Sequence, residues 1–183
     1  MSFAAAVSRW RVRAGYLLAI AVLWLARPAL RSIAVGAAIG LVGLGLRAYA
    51  AGYLRKQDVL TTTGPYAYTR NPLYLGSFLL AIGAAVAAHS WIAAVLLLLY
   101  FAVVYSFVMR REEQELRGHH GAAFEEYART VPLFFPRLIP ARTSANSGAF
   151  SLRQYRKNHE YEAAIGYLLL ITVLLVLWRW PLH

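Results

Sequence analysis

"PLYLGSFLLAIGAAVAAHSWIAAVLLLLYFAVVYSFVM", Pro72 to Met109, contains no Lys, Arg, Asp or Glu. A membrane-spanning helix needs about 20 mostly apolar residues, so this run is long enough for two. Its one polar break is His89-Ser90. The halves, about Leu73 to Ala88 and about Trp91 to Met109, therefore read as a tight antiparallel hairpin of membrane helices.

Working outward, a further apolar run lies upstream at about Ile33 to Leu54, and another downstream at about Ala163 to Trp178. A shorter one, Ala14 to Ala26, extends toward Trp10 and is closed by Arg27-Pro28. Arg9, Arg11 and Arg13 before it give it the outline of a signal peptide. No clear small-residue cleavage site follows, and a retained helix is the expectation. The predicted fold is all-α and polytopic. It is a single membrane-embedded domain over 1–183, with five helices at about 10–26, 33–54, 73–88, 91–109 and 163–178.

Composition agrees. The chain is 60% hydrophobic, above the roughly 45–50% of soluble domains, and its mean hydropathy is +0.49. It has no cysteine, which excludes disulfides, thiolate metal sites and cysteine nucleophiles. The net charge of +11 gathers at the ends of apolar runs. That pattern fits an anionic inner membrane surface rather than nucleic acid. With the N-terminus inside, fifteen Lys and Arg fall in inner segments and only Arg27, Arg31 and Arg179 in outer ones. The positive-inside rule then gives a multi-pass, bacterial-type inner-membrane protein with its N-terminus cytoplasmic and its C-terminus outside. Trp10, Trp24, Trp91, Trp178 and Trp180 stand at run ends, as interface anchors do.

That topology puts both long polar connections, Arg55 to Pro72 and Arg110 to Tyr161, on one side, where they can meet. In the first, Thr61-Thr62-Thr63-Gly64-Pro65 is a turn, and Pro72 opens the third helix where its missing N–H costs nothing. Arg70 and Asn71 stand at that helix entrance, which favours an anion. Tyr66, Tyr68 and Tyr74 crowd the same point, and aromatic faces attract cations, sulfonium groups included. The stretch suits a small zwitterion with a cationic centre, or alternatively a plain Tyr/Arg interfacial anchor.

Six of the eight acidic residues lie in the second connection and Glu162 directly follows it, Asp58 standing alone upstream. In "MRREEQELRG", Glu112 and Glu113 each share a helical face with Leu116 if the helix continues; a solvated helix end paired with Arg110, Arg111 and Arg117 is the plainer reading. Phe124 and Tyr127 share a face in "FEEYARTVPLFFPRLIP". Pro132 and Pro136 then force an extended path, and Phe134-Phe135 return it to the membrane. Ala141 to Gly148 reads as a linker. Arg47, alone inside the second helix, could steer a lipid headgroup, snorkel, or belong to a structural pair.

"GPYAYTRNPLYLG" (Gly64 to Gly76), a helical hairpin, "REEQEL", then "G..FEEYARTVPLFFP" resembles the isoprenylcysteine carboxyl methyltransferase and phospholipid N-methyltransferase superfamily. The resemblance spans about Arg47 to Pro136, half the chain. It implies an integral membrane enzyme using S-adenosylmethionine without a Rossmann domain, its pocket built by segments 61–76 and 110–136. Carried over by position, Gly64, Pro65, Tyr66, Arg70, Pro72, Tyr74, Glu112, Glu113 and Tyr127 would bind the cofactor. Arg70, Asn71 and Glu113 would be catalytic, and Phe124, Val131 and Pro132 belong to the closing segment. Asn71 stands where many members have His, Phe124 where Tyr is common, and "VPLFFP" lacks a basic residue after its first Pro. The acceptor implied is lipophilic: an isoprenoid-type carboxylate or a lipid amine.

The Gly-x-Gly in "GLVGLG" (Gly40 to Gly45) lacks the preceding strand of a dinucleotide site; with Gly36 it reads as close helix packing. His89, His119 and His120 lack zinc-ligand spacing, and no metal is expected. Two other functions stand beside the methyltransferase reading: an NADPH-dependent reductase of sterol-type lipids, and a small transporter or scaffold. An ion pathway needs facing polar groups at mid-membrane, where Arg47 is the only charge.

Overall fold

The computed structural model describes residues 3–55, 59–142 and 148–181, with side chains from Ala14 onward. Lys56, Asp58 and linker positions 143–147 lie outside the described residues, as do the side chains of Arg9, Trp10, Arg11 and Arg13.

The described chain is helical, in the order α1 (Phe3–Leu25), α2 (Leu30–Tyr53), a 3₁₀ turn (Gly64–Ala67), α3 (Pro72–Ala88), α4 (Trp91–His120), α5 (Ala122–Thr130), α6 (Leu152–Lys157) and α7 (Tyr161–Arg179). Among the described residues, three helices are long and apolar enough to cross a membrane: α2, α4 and α7. Two shorter apolar helices, Ala14–Leu25 within α1 and α3, pack among them. The protein is an all-α polytopic membrane bundle. Outward-facing side chains such as Leu41, Val42, Leu99, Phe107, Leu168 and Leu169 are exposed, which suits a lipid-facing belt. Trp24, Trp91, Trp178 and Trp180 are exposed at helix ends.

Small residues decide the packing. In lipid there is no hydrophobic drive between helices, so backbones must approach closely. On α2, a Cβ added to Gly36 would lie 2.4 Å from Gly83 O, and one on Gly43 2.7 Å from Gly76 O. Added to Gly83 on α3, it would lie 2.6 Å from Gly36 O. Tyr167 of α7 lays its ring against Gly40 and donates its hydroxyl to Gly36 O at 2.8 Å. Gly36, Gly40 and Gly43 are thus a packing surface, whereas Gly45, the last glycine of "GLVGLG", faces open space. Because the obstruction is backbone, Gly83→Val is expected to destabilise the bundle by at least about 1–3 kcal/mol. A thermal unfolding midpoint in detergent equal to the parent's would refute this account of the α2–α3 seam.

The hairpin turn is as tight as expected. His89 adopts the left-handed region (φ 50), and the Ser90 side chain caps α4 by accepting from the Ala93 N–H. Around this end, Val22, Ala26, Ile33, Ala87, Ala88, Ala93 and Leu174 form a buried apolar cluster.

At the opposite end two features exceed the sequence expectations. First, α4 does not stop at Met109 but runs to His120. Thirty residues at 1.5 Å each make a rod of about 45 Å, longer than a roughly 30 Å hydrocarbon core. Its last turns, which carry the glutamates, project beyond the apolar belt. Second, the short polar helix α6 closes the end of α2. Gln154 Nε2 donates to Leu54 O (2.5 Å), and Asn158 Nδ2 to Ala51 O (2.9 Å) and Leu54 O (3.1 Å). These occupy carbonyls that a helix C-terminus otherwise leaves unpaired. Phe150 fits its ring over Gly52 and between Tyr49 and Tyr53.

Candidate functional site

The 3₁₀ turn is set by its own residues. Gly64 has φ +60, and the Tyr53 ring lies where a Cβ would go, so the position requires glycine on two counts. Pro65 opens the turn, where a fixed φ helps. The turn is then gripped from the other polar segment. Tyr127 donates its hydroxyl to Tyr66 O at 2.8 Å. The Arg70 N–H donates to Pro132 O (2.9 Å), the Arg137 N–H to Tyr68 O (3.0 Å) and the Ala141 N–H to Ala67 O (2.9 Å). Thr69 Oγ1 donates to Phe134 O (2.9 Å) and Asn71 Nδ2 to Leu133 O (3.0 Å). Phe124, Tyr127 and Val131 form a second buried cluster beneath this clamp.

Between the clamp, the ends of α2 and α3, the projecting part of α4 and the start of α7 lies a cavity of about 670 Å³. Small-molecule sites run roughly 300–1,000 Å³. Three arginines line it (Arg47, Arg55 and Arg70), and four glutamates (Glu112, Glu113, Glu115 and Glu160). With His119 and His120 neutral, its formal charge is −1, inside a chain of net charge +11.

Arg70 and Glu113 meet as an ion pair across the α3 entrance. Both are largely shielded, at 14% and 19% side-chain exposure. The pair is matched in charge but not in hydrogen bonds: Arg70 Nε and Glu113 Oε1 are buried without an aligned partner. The Tyr66 hydroxyl is buried and likewise without one. Burial pushes its pKa far above the ordinary tyrosine value, and Tyr127, Glu112 and Glu160 push it further the same way. Tyr127 is also raised by burial, with Arg70 acting in the opposite sense. Both phenols therefore stay protonated, as donors rather than bases. Tyr74 donates to Glu112, and the Arg70 guanidinium lies 5.9 Å from the Phe124 ring centroid.

Of the residues singled out in the sequence, Tyr66, Arg70, Asn71, Pro72, Tyr74, Glu112, Glu113 and Tyr127 all line this one cavity. Gly64 and Pro65 do not; they shape the turn behind it. Asn71 lines the wall, but its amide nitrogen is engaged with Leu133 O. Sequence reasoning missed Glu160 as a wall residue. It binds Arg47 in two-point fashion, Oε2 to Nε and Oε1 to Nη2, each at 2.9 Å. Arg47 also donates to Leu73 O (3.3 Å) and Ser77 Oγ. Arg47 is thus ion-paired with Glu160. The cost of a bare charge within an apolar helix was the signal that a carboxylate should be sought for it.

A buried donor without a partner costs about 1–3 kcal/mol. Two such donors, Arg70 Nε and the Tyr66 hydroxyl, at one cavity, with carboxylates alongside, suit a ligand bearing a carboxylate, an ammonium and hydroxyls. The donor set fits an amino-acid nucleoside such as S-adenosylmethionine. Among the described residues no group of three or more His, Cys, Asp or Glu side chains is placed to hold a metal ion.

Residues 10–123 match the model of the phospholipid methyltransferase family. Three curated relatives are similar. The nickel-cobalt-cadmium resistance protein NccN of Alcaligenes xylosoxydans xylosoxydans is 36% identical over 67% of this chain and 56% of its own length. The cobalt-zinc-cadmium resistance protein CzcN of Cupriavidus metallidurans is 38% identical over 55% of this chain and 49% of its own. The protein-S-isoprenylcysteine O-methyltransferase of Schizosaccharomyces pombe is 35% identical over 46% of this chain and 36% of its own. The chain spans about half the length, or less, of the curated relatives it matches. No solved structure matches.

Proposed function

This chain belongs to the phospholipid methyltransferase family, and on that footing we propose that it transfers a methyl group from S-adenosylmethionine to a lipophilic acceptor at the cytoplasmic membrane face. The observation that carries the reading is the convergence of Tyr66, Arg70, Glu112 and Glu113 on one cavity at the polar end of the bundle. The proposed orientation, N-terminus inside and C-terminus outside in a bacterial-type inner membrane, rests on the distribution of Lys and Arg.

The bound cofactor supplies an electrophilic methyl on a sulfonium, whose charge disperses as transfer proceeds, so a water-poor cavity favours the reaction. The residues divide the remaining work. Arg70 Nε offers a donor to a carboxylate, and the Tyr66 hydroxyl another to a carboxylate or a ribose. Glu112 and Glu113 accept from an ammonium or from ribose hydroxyls. The clamp of Pro132, Phe134 and Tyr127 holds these groups in register, and good alignment can contribute about 7–11 kcal/mol. A carboxylate acceptor yields no proton. An amine acceptor does, and the cavity's glutamates are the groups that can take it. The isoprenylcysteine enzyme named above supports a carboxylate of isoprenoid type as acceptor; a lipid amine is the other chemistry the family name supports.

The cavity's charge opposes a reductase. A −1 wall suits the singly positive cofactor, whereas NADPH brings several phosphate charges that it would repel. Thermal shift in detergent separates the two: adenosylhomocysteine is expected to raise the unfolding midpoint with increasing concentration, and NADPH to leave it unmoved. Stabilisation by NADPH alone would overturn the methyltransferase reading.

A further inference from the structure

The segment from Val131 to Ala141, which clamps the 3₁₀ turn, carries an apolar surface that the methyl-transfer reading does not use. Phe135 is 75% exposed, Leu138 97% and Ile139 72%. Its neighbour Phe134 turns the other way. That ring packs 5.7 Å from Phe78 of α3 and 6.1 Å from Phe101 of α4. Phe78 is six residues into α3, about 9 Å below its start at 1.5 Å per residue. Phe101 is eight residues inside the apolar run that ends at Met109. The segment is therefore pinned against the flank of the hairpin at a level where lipid surrounds the bundle.

We propose that this strap is a membrane-interface anchor, with Phe135, Leu138 and Ile139 inserted among the lipid headgroups and upper acyl chains. Three observations select the bilayer as the occupant. Through Phe134 the strap packs on Phe78 and Phe101 of the apolar hairpin. Arg137 stands within the apolar group and Arg142 follows it, the mixture of basic and apolar side chains found in interfacial segments that meet anionic lipid. Pro132, Pro136 and Pro140 keep it out of a helix, and no strand lies among the described residues for it to pair with. Exposed apolar clusters of this kind mark contact surfaces.

The anchor bears on the site because the same backbone holds the turn. Arg70, Arg137 and Ala141 are joined to their partners by N–H···O bonds across strap and turn. Bilayer contact on one face of the strap thereby steadies Tyr66 and Arg70 on the other. This consequence rests on the proposed cofactor site; the anchoring itself does not.

The absence of cysteine allows a single reporter. Leu138→Cys, labelled with an environment-sensitive fluorophore in phosphatidylcholine–phosphatidylglycerol nanodiscs, is expected to give blue-shifted emission. The label should be shielded from iodide and quenched by a headgroup-level nitroxide lipid. Gln114→Cys, on the exposed projecting part of α4, should behave as in water. Ile139→Cys repeats the reading if the first variant does not fold. Water-like emission and full iodide quenching at both 138 and 139 would overturn the anchor. In F135S/L138S/I139S, hydrogen exchange at the Arg70, Arg137 and Ala141 amides is expected to accelerate in nanodiscs; unchanged exchange would overturn the link to the turn. Neither readout involves the cofactor, so failure here is distinguishable from failure of the methyltransferase reading.

Discussion

Arg70→Ala is expected to weaken adenosylhomocysteine binding by at least about 100-fold, the equivalent of roughly 2.7 kcal/mol, while the helices stay folded. The argument is one of stranded charge. Arg70 and Glu113 are each more than four-fifths shielded, and each is the other's ion-pair partner. Removing one leaves an uncompensated buried carboxylate, which costs about 3–5 kcal/mol, and it also removes the unpartnered Nε donor. Glu113→Ala should do comparable damage by stranding the guanidinium. The double variant should fall well short of the sum, since both changes break one unit. Arg70→Lys should rescue little, because an ammonium presents a point charge where the site uses a planar fork. Calorimetric titration in detergent, with circular dichroism confirming helix content, reads all four. If Arg70→Ala and Glu113→Ala both retain parental affinity, the cofactor site is elsewhere.

That pairing shows what one chain of letters can and cannot disclose. The α3–α4 hairpin was legible because a charge-free run of that length has few options other than two membrane helices, and His89-Ser90 is the only place to turn. The two polar segments were placed on one side by the arginines alone. Which partner each side chain takes was not legible. Tyr74 engages Glu112 and Arg70 engages Glu113 because of the pitch at which α4 continues past Met109, a tertiary fact without local signature. Gly64 and Pro65 sit in the same motif as Arg70, yet they serve the turn and not the cavity wall. Helix α6 was invisible because six mostly polar residues, Leu152–Lys157, are too few to carry an apolar period. Its existence depends on donating Gln154 and Asn158 to the end of α2. With α6 went the position of Glu160, which looked like one more acid in a charged stretch.

Glu160→Ala is accordingly expected to be among the most destabilising single changes in the protein, at about 3–5 kcal/mol. Arg47 and Glu160 are joined by two hydrogen bonds at 2.9 Å and are 19% and 10% exposed. The guanidinium also reaches Leu73 O and Ser77. One side chain therefore ties α2 to α3 and to the start of α7, and losing the carboxylate leaves a largely shielded guanidinium without its counter-charge. The backbone just before Glu160 bears the same stamp. His159 holds φ 55, a left-handed conformation that a non-glycine residue adopts at some cost and keeps only when its surroundings over-determine it. Here it turns the chain from α6 into α7 and delivers Glu160 to the cavity wall. If the pair is structural, removing both charges should hurt less than removing one, because no bare charge remains. R47M/E160M should then recover much of the unfolding midpoint that Glu160→Ala loses. If Glu160 instead serves the acceptor, the double variant would fold well and still fail to turn over. Midpoint and methyl transfer, measured on the same three proteins, decide between the two roles, and a Glu160→Ala protein as stable as its parent would exclude the structural one.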